Sequence, residues 1–179
     1  IHMRIETDNK LDYKDVLLKP KRSTLSSRRS VTIERDFTFR HWNETKETWS
    51  GIPIIASNMD GVGEINVAKS LAKQKLITAL TKQHNLQSIN DFKSVKDIFN
   101  YVTLSCGTGK ESFSRLNEIL SQHSYFQFIC IDIANGYSEH FSKFISSVRE
   151  KHPTKTIIAG NVVTADMTQE SVSYTHLTL

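Results

Sequence analysis

The stretch FICIDIANGYSEHF, residues 128–141, runs from apolar chain into Asp132, through a polar turn at Asn135-Gly136, into a helical pattern. A carboxylate at the end of such a strand is costly to desolvate unless a cation, a donor or a ligand meets it. Two readings stand: Asp132 caps a neighbouring loop amide, or it faces a ligand. Lys82, a cation at the end of another apolar run, favours the second. A Lys–Asp pair at one mouth can hold or relay a proton, with the lysine pKa tuned by burial. Gly136 supplies a turn that leaves the backbone of Asp132, Ile133 and Ala134 free to approach a ligand. Cys106, beside Gly107, stands where a nucleophile would, but no histidine is tied to it by a motif. Free cysteines more often act as small buried hydrophobes, so Cys106 and Cys130 are read as packing. His84 and His140 have no ligand spacing with other histidines or carboxylates, so no transition-metal site is predicted.

These residues are set by an alternation that begins at Pro53. Apolar runs PIIASNM, LITAL, YVTLSCGTG, FQFICIDIA and TIIAGNVV are separated by segments with helical spacing. Ile65, Ala68, Leu71 and Ala72 form one helical stripe; Ile89, Phe92, the Lys96 stem and Phe99 form another. Phe113, Leu116 and Leu120 form a third, and Phe141, Phe144, Ile145 and Val148 the clearest, with Ser138 as N-cap and Glu139 in the first turn. Near-continuous apolar strands, each followed by an amphipathic helix at a repeat of roughly 25 residues, predict parallel strands covered by helices. Polar residues end every run: Asn58 and Asp60, Lys82, Ser105 and Thr108, Asp132 and Asn135, Asn161. A doubly wound sheet concentrates ligand contacts at one switch point and its dinucleotide form carries G-x-G-x-x-G, which is missing here. A (β/α)8 TIM barrel draws on many strand ends, and it is the predicted fold. Eight units typically need about 250 residues, so the barrel is expected to be truncated after about five βα units, within one domain at residues 3–170.

Composition fits a globular chain: 179 residues, 38% hydrophobic, 23% charged. No apolar run approaches the roughly 20 residues of a membrane span, and no signal-peptide pattern opens the chain. Two cysteines make neither a disulfide framework nor a metal-spaced pair, which predicts a reducing, cytoplasmic setting. The net charge of +4 is mild and is concentrated in KPKRSTLSSRR, residues 19–29. That loop steers an anionic ligand or is a solvated basic face; without aromatic stacking residues it does not predict nucleic-acid binding. Residues 1–2 read as a cloning remnant. In 171–179 a helix starting near Ala165 is abandoned for a β-branched, polar string, so that tail reads as non-native.

Taken together, DYKDVLLKPKRSTLSSR, PIIASNMDGVG, CIDIANGYSEHF and IIAGNVVT resemble the GMP reductases of the inosine-monophosphate dehydrogenase/GMP reductase superfamily. The third segment is similar to the reductases rather than the dehydrogenases. The dehydrogenases also usually insert a large regulatory module after the second strand, whereas QHNLQSIN here runs directly into a short helix. The resemblance implies NADPH-dependent reductive deamination of GMP to IMP and ammonia in purine nucleotide salvage, by a homotetramer.

Residue by residue, the resemblance makes Lys82 and Asp132 catalytic. It makes Ser27, Arg28, Gln83, Asp132, Ile133 and Ala134 cofactor-binding, with Ser27 and Arg28 supplied across a subunit interface. Asn58, Met59, Asp60 and Asn161 match strand ends lining the purine pocket. Gly61 stands where the family usually has Thr or Asn, and Gln83 replaces a histidine expected near the cofactor. The family's Cys-Thr-Thr loop, its monovalent-cation (potassium) site and its nucleotide-phosphate loops match positions downstream of Met167. The chain as given is therefore expected not to reduce GMP. The rival expectations are a non-catalytic nucleotide-binding or assembly fragment, and a dehydrogenase relative lacking its insert.

Overall fold

The computed structural model describes residues 7, 9, 11–42, 48–90, 92 and 98–175, with side chains to residue 172. The predicted start at Met3, the remnant at 1–2, the packed Lys96 stem and the last four residues of the tail lie outside the described residues. The chain divides into two compact units, residues 1–32 and 33–179. The first contains two 3₁₀ turns, Tyr13–Asp15 and Arg28–Ser30. Asp12 and Asp15 close a reciprocal capping box on the first turn, and the Ser27 hydroxyl accepts from the Arg29 amide (3.2 Å) on the second.

The second unit is a six-stranded sheet with helices between its strands. Its elements are β1 (Arg35–Phe37), β2 (Trp49–Ala56), α1 (Ile65–Ala72), β3 (Leu76–Ala79), α2 (Leu86–Ile89) and β4 (Val102–Cys106). They continue with α3 (Lys110–Gln122), β5 (Phe128–Asp132), α4 (Glu139–Lys151), β6 (Thr156–Gly160) and α5 (Ala165–Thr175). The strands lie side by side in sequence order. The pairs β2–β3, β3–β4, β4–β5 and β5–β6 are all parallel. Those five strands are the five predicted apolar runs, and their order lacks the reversal that creates a switch point in a doubly wound sheet.

Apolar residues pack on both faces of the sheet, which is why the strands read as continuous apolar runs instead of alternating ones, although Ile54 and Ile55 of β2 are exposed. On one face Leu80, Leu104, Ile129, Ile131 and Ile157 pack against the helices through Ala68, Leu116, Ile119, Phe141, Ile145 and Val148. On the other, Ile77 and Phe128 pack under Trp42 and Trp49. That aromatic cover was not foreseen. It is carried by β1, which pairs antiparallel with β2 through Phe37 opposite Trp49. Trp42 and Phe39 then reach Phe128 with ring centroids 5.0 and 5.5 Å away. Three residues are too few for periodicity to reveal a strand, and the aromatic partners come from distant segments.

Two helix expectations need correction. The predicted helix over residues 88–100 is instead the single α-turn α2 and a 3₁₀ turn at Ile98–Tyr101, with residues 91 and 93–97 outside the described set. Asn85 and Ser88 close a capping box that fixes where α2 begins. The helix beginning at Ala165 is not abandoned at Ser171: it continues to Thr175. Thr164 starts it, its hydroxyl accepting from Met167 (3.3 Å). Ser138 likewise caps α4 by accepting from Phe141 (3.2 Å).

Candidate active site

The C-terminal ends of β2, β3, β5 and β6 share one edge of the sheet, because parallel strands in register must end together. Asp132 is the last residue of β5, opposite Gly160 of β6. It is exposed, so the desolvation argument made for it from sequence does not apply. Its partner is Asn58, whose amide nitrogen donates to the Asp132 carboxylate at 3.0 Å across a separation of 74 residues. The proposed Lys–Asp pair is not formed: Lys82 is exposed, and no ion pair joins it to Asp132. A neutral amide at that distance orients a carboxylate, and the second oxygen stays available to a donor from a ligand.

The loop carrying Asn58, Met59 and Asp60 is fixed by its own backbone. Gly61 adopts a positive φ of 77°, and the Val62 and Gly63 amides both donate to the Met59 carbonyl (3.0 and 2.8 Å). The Gly63 carbonyl accepts from the Thr81 amide (2.9 Å) and lies 3.2 Å from Nε2 of His84. That nitrogen is also 3.5 Å from the Glu64 carboxylate. A side chain at Gly63 has no room: a Cβ would lie 2.5 Å from the Ala79 carbonyl oxygen and 2.9 Å from the Thr81 nitrogen. The result joins the β2–α1 loop to the end of β3, where Lys82 and Gln83 emerge. Asp60, Glu64, Thr81, Gln83, His84 and Asn85 border one depression of about 340 Å³ there. Gly63 and His84 were not singled out as site-building residues; the Gly-x-Gly spacing between strand and helix was the signal available for the first.

The β5–α4 and β6–α5 loops are laced in the same way. Ile133 donates to the Gly160 carbonyl (3.0 Å), Asn161 to Ile133 (2.9 Å), and Gly136 to Asn161 (2.9 Å). This corrects the reading of Gly136. The space its missing side chain leaves is filled by the protein itself: a Cβ would sit 2.7 Å from the Asn161 carbonyl oxygen and 2.8 Å from the Val162 side chain. Glycine is needed for close approach of the two loops, not of a ligand. Ala134 and the Asn161 side chain remain exposed beside them. The site residues brought together are thus Asn58 with Asp132, Asp60 with Gln83, and Ile133 with Asn161. Ser27 and Arg28 belong to the other unit, where Ser27 caps its own turn.

Cys106 lies on the helix-facing side of β4, 1% exposed, where burial pushes its thiol up to about 12. Burial likewise pushes Cys130 up to about 11, with the neighbouring Ser105 hydroxyl acting in the opposite direction. Neither thiol provides a thiolate at neutral pH. Among the described residues no group of three histidine, cysteine or carboxylate side chains can hold a metal ion. No helix there is long and apolar enough to cross a membrane.

Sequentially ordered parallel strands, with charged and amide side chains gathered at their C-terminal ends, define an α/β protein with an enzyme-like site. The comparisons give the family. Residues 10–175 match the family model described as the IMP dehydrogenase / GMP reductase domain, and the chain belongs to that family. It is 51% identical over 172 residues to the GMP reductase of Citrobacter koseri, covering 95% of this chain and 49% of the relative. The GMP reductases of Klebsiella pneumoniae and Shewanella halifaxensis are each 49% identical over the same length and coverage. The chain spans about half the length of the curated relatives it matches. Its fold is similar to a crystal structure of inosine 5′-monophosphate dehydrogenase from Legionella pneumophila. The TM-score is 0.66 at 26% identity, over 91% of this chain and 46% of that one.

Proposed function

We propose that the whole protein is a GMP reductase, converting GMP to IMP and ammonia with NADPH in purine nucleotide salvage, and that this chain supplies the first βα units of its (β/α)8 barrel. The observation that carries the reading is the 3.0 Å bond between Asn58 and Asp132. It joins a residue expected to line the purine pocket to one expected to meet the cofactor, as a reaction between two bound ligands requires. The short connection at residues 80–85 between β3 and α2 leaves no room for a regulatory module there, which favours a reductase over a dehydrogenase.

The residues present fit a nicotinamide cofactor. Asp132 exposes a carboxylate oxygen suited to accept from hydroxyl or amide groups, and the exposed Ala134 beside it presents no bulky side chain to obstruct a flat ring. Asp132, Ile133, Ala134 and Gln83 would hold the cofactor, and NADPH supplies hydride when bound. Asn58, Met59, Asp60 and Asn161 would border the purine. Lys82, exposed at the end of its strand, would hold or deliver a proton at its Nζ to the departing ammonia. Ser27 and Arg28 would reach cofactor from a neighbouring subunit of a cytoplasmic tetramer. A potassium ion would belong to segments outside this chain.

The isolated chain, lacking a reactive thiolate, is expected to be catalytically silent, as a nucleotide-binding or assembly fragment would be. The test is GMP-dependent NADPH oxidation by the protein of the complete reading frame and by the chain alone. Turnover by the first only is expected. A complete protein that oxidises IMP but does not reduce GMP would overturn the reading in favour of a dehydrogenase.

A further inference from the structure

Beyond the strand ends, one side chain ties the two loops that the proposed reaction must keep in register. The phenolic oxygen of Tyr137 accepts from the backbone amides of Val163 (2.9 Å) and Thr164 (3.0 Å) and lies 3.2 Å from the Thr164 hydroxyl. Tyr137 is the residue immediately before the N-cap of α4, and Thr164 is the residue that caps α5. The ring therefore spans from the start of one helix to the start of the next. Its own amide donates to the Asn135 side chain (3.0 Å), so the turn after Ala134 holds the ring in place. The other ties between these loops are backbone hydrogen bonds that cluster at residues 133, 136, 160 and 161. Past Asn161 the Val162 side chain sits over Gly136, and the Tyr137 oxygen adds the hydrogen bonds that hold Val163, itself 86% exposed, and Thr164 to the β5–α4 loop.

Resting on the proposed function, we propose that Tyr137 is a positioning residue that couples the cofactor-facing end of β5 to the purine-facing end of β6. Asp132, Ile133 and Ala134 lie just before it in the chain, and Asn161 lies just before the amides of Val163 and Thr164 that donate to it. Hydride transfer between two bound ligands depends steeply on their separation, and a displacement of about 1 Å costs up to roughly a hundredfold in rate. Removing one oxygen from the tie leaves both sets of contact residues intact but frees their relative placement.

The test is Tyr137→Phe, which keeps the ring and deletes the oxygen. In the chain itself, hydrogen exchange at the Val163 and Thr164 amides should accelerate by about tenfold or more, as expected for loss of a protecting acceptor. Exchange at the β5 and α4 core amides should stay unchanged, which separates the local tie from global destabilisation. In the complete protein, kcat should fall by about tenfold while KM for GMP and for NADPH stays within about twofold. A role in folding alone would lower the melting temperature and leave kcat in place. Unchanged exchange at Val163 and Thr164 overturns the tie. Faster exchange with unchanged kcat, or a change confined to KM, overturns the coupling. Absence of GMP reduction by the wild-type complete protein overturns the functional reading and the coupling with it, while the exchange data still decide the tie.

Discussion

Replacing Gly63 by alanine should disassemble the candidate site from a position that touches no ligand. The added Cβ would stand 2.5 Å from the Ala79 carbonyl oxygen, 2.9 Å from the Thr81 nitrogen and 3.1 Å from the Asn58 Cα. All three are backbone atoms, so no side-chain rotation relieves the clash. Ordinary contact distances are about 3.5 Å, which requires the loop and the β3 end to separate by roughly 1 Å. Overpacking of this kind costs about 1–3 kcal/mol, or a fall in melting temperature of roughly 2–12 °C for a chain of this size. The separation also strains the Thr81–Gly63 hydrogen bond (2.9 Å) and the His84 contact (3.2 Å), and it draws Asn58 away from Asp132. Thermal unfolding of the isolated chain reads the first effect, and the NMR shift of the Asn58 side-chain amide reads the second. Gly107→Ala is the control, since its Cβ meets nothing closer than the Ser112 hydroxyl oxygen at 4.0 Å. A Gly63→Ala chain that melts within about 1 °C of wild type, with the Asn58 resonance in place, would refute the reasoning.

His152 should make stability fall as the solution is acidified. Burial first, then the neighbouring Lys155 and Lys151 charges, hold its pKa at about 4 against an ordinary 6.5. The unfolded chain therefore binds a proton that the folded chain refuses, and stability drops as pH falls from about 7 to 4. The gap corresponds to about 3 kcal/mol if fully felt, and to about 1–2 kcal/mol once screening of the half-exposed ring is allowed for. Urea unfolding of wild type and His152→Asn across that range should show it, and an NMR titration placing the ring above pH 6 would rule it out. Cys106 and Cys130 should resist thiol reagents at pH 8 in the native chain and react freely in urea, because burial pushes both thiols above 10; rapid native labelling of Cys106 would contradict its placement. Asn58→Ala should lower kcat/KM of the complete protein by about tenfold through loss of a charge-assisted bond to Asp132, and a change under twofold would sink that role. Ser138→Ala should cost the chain about 1 kcal/mol of stability in urea unfolding by removing the α4 cap, and an unchanged unfolding midpoint would contradict it.

The parts of this molecule legible in its sequence are those governed by local rules. The five parallel strands, α1, α3 and α4, and the cap Ser138 follow from apolar periodicity and side-chain capping chemistry acting over a few residues. Misreadings arose where a non-local contact overrode a local pattern. Over the described residues the helix expected from Ile89 to Phe99 shows only short turns, and β1 pairs with β2 where Phe37 faces Trp49 while Phe39 and Trp42 cover Phe128 from far along the chain. Charged and amide residues at each strand end also marked the edge of the sheet where the candidate site lies, because these groups, unlike the small hydroxyls of Thr78 and Thr103, are not buried within the strands.

What the sequence determined by itself is therefore the order of elements, the strand ends bearing Asn58, Lys82, Asp132 and Asn161, and the family to which those motifs belong. Tertiary structure alone decided their partners. Asp132 meets the Asn58 amide rather than Lys82, Gly136 makes room for Asn161 rather than for a ligand, and Cys106 turns into the helix-facing core. The reason is geometric: parallel strands share one edge, but which side chains touch across it depends on register, loop closure and backbone crowding, and these are set by residues tens of positions apart.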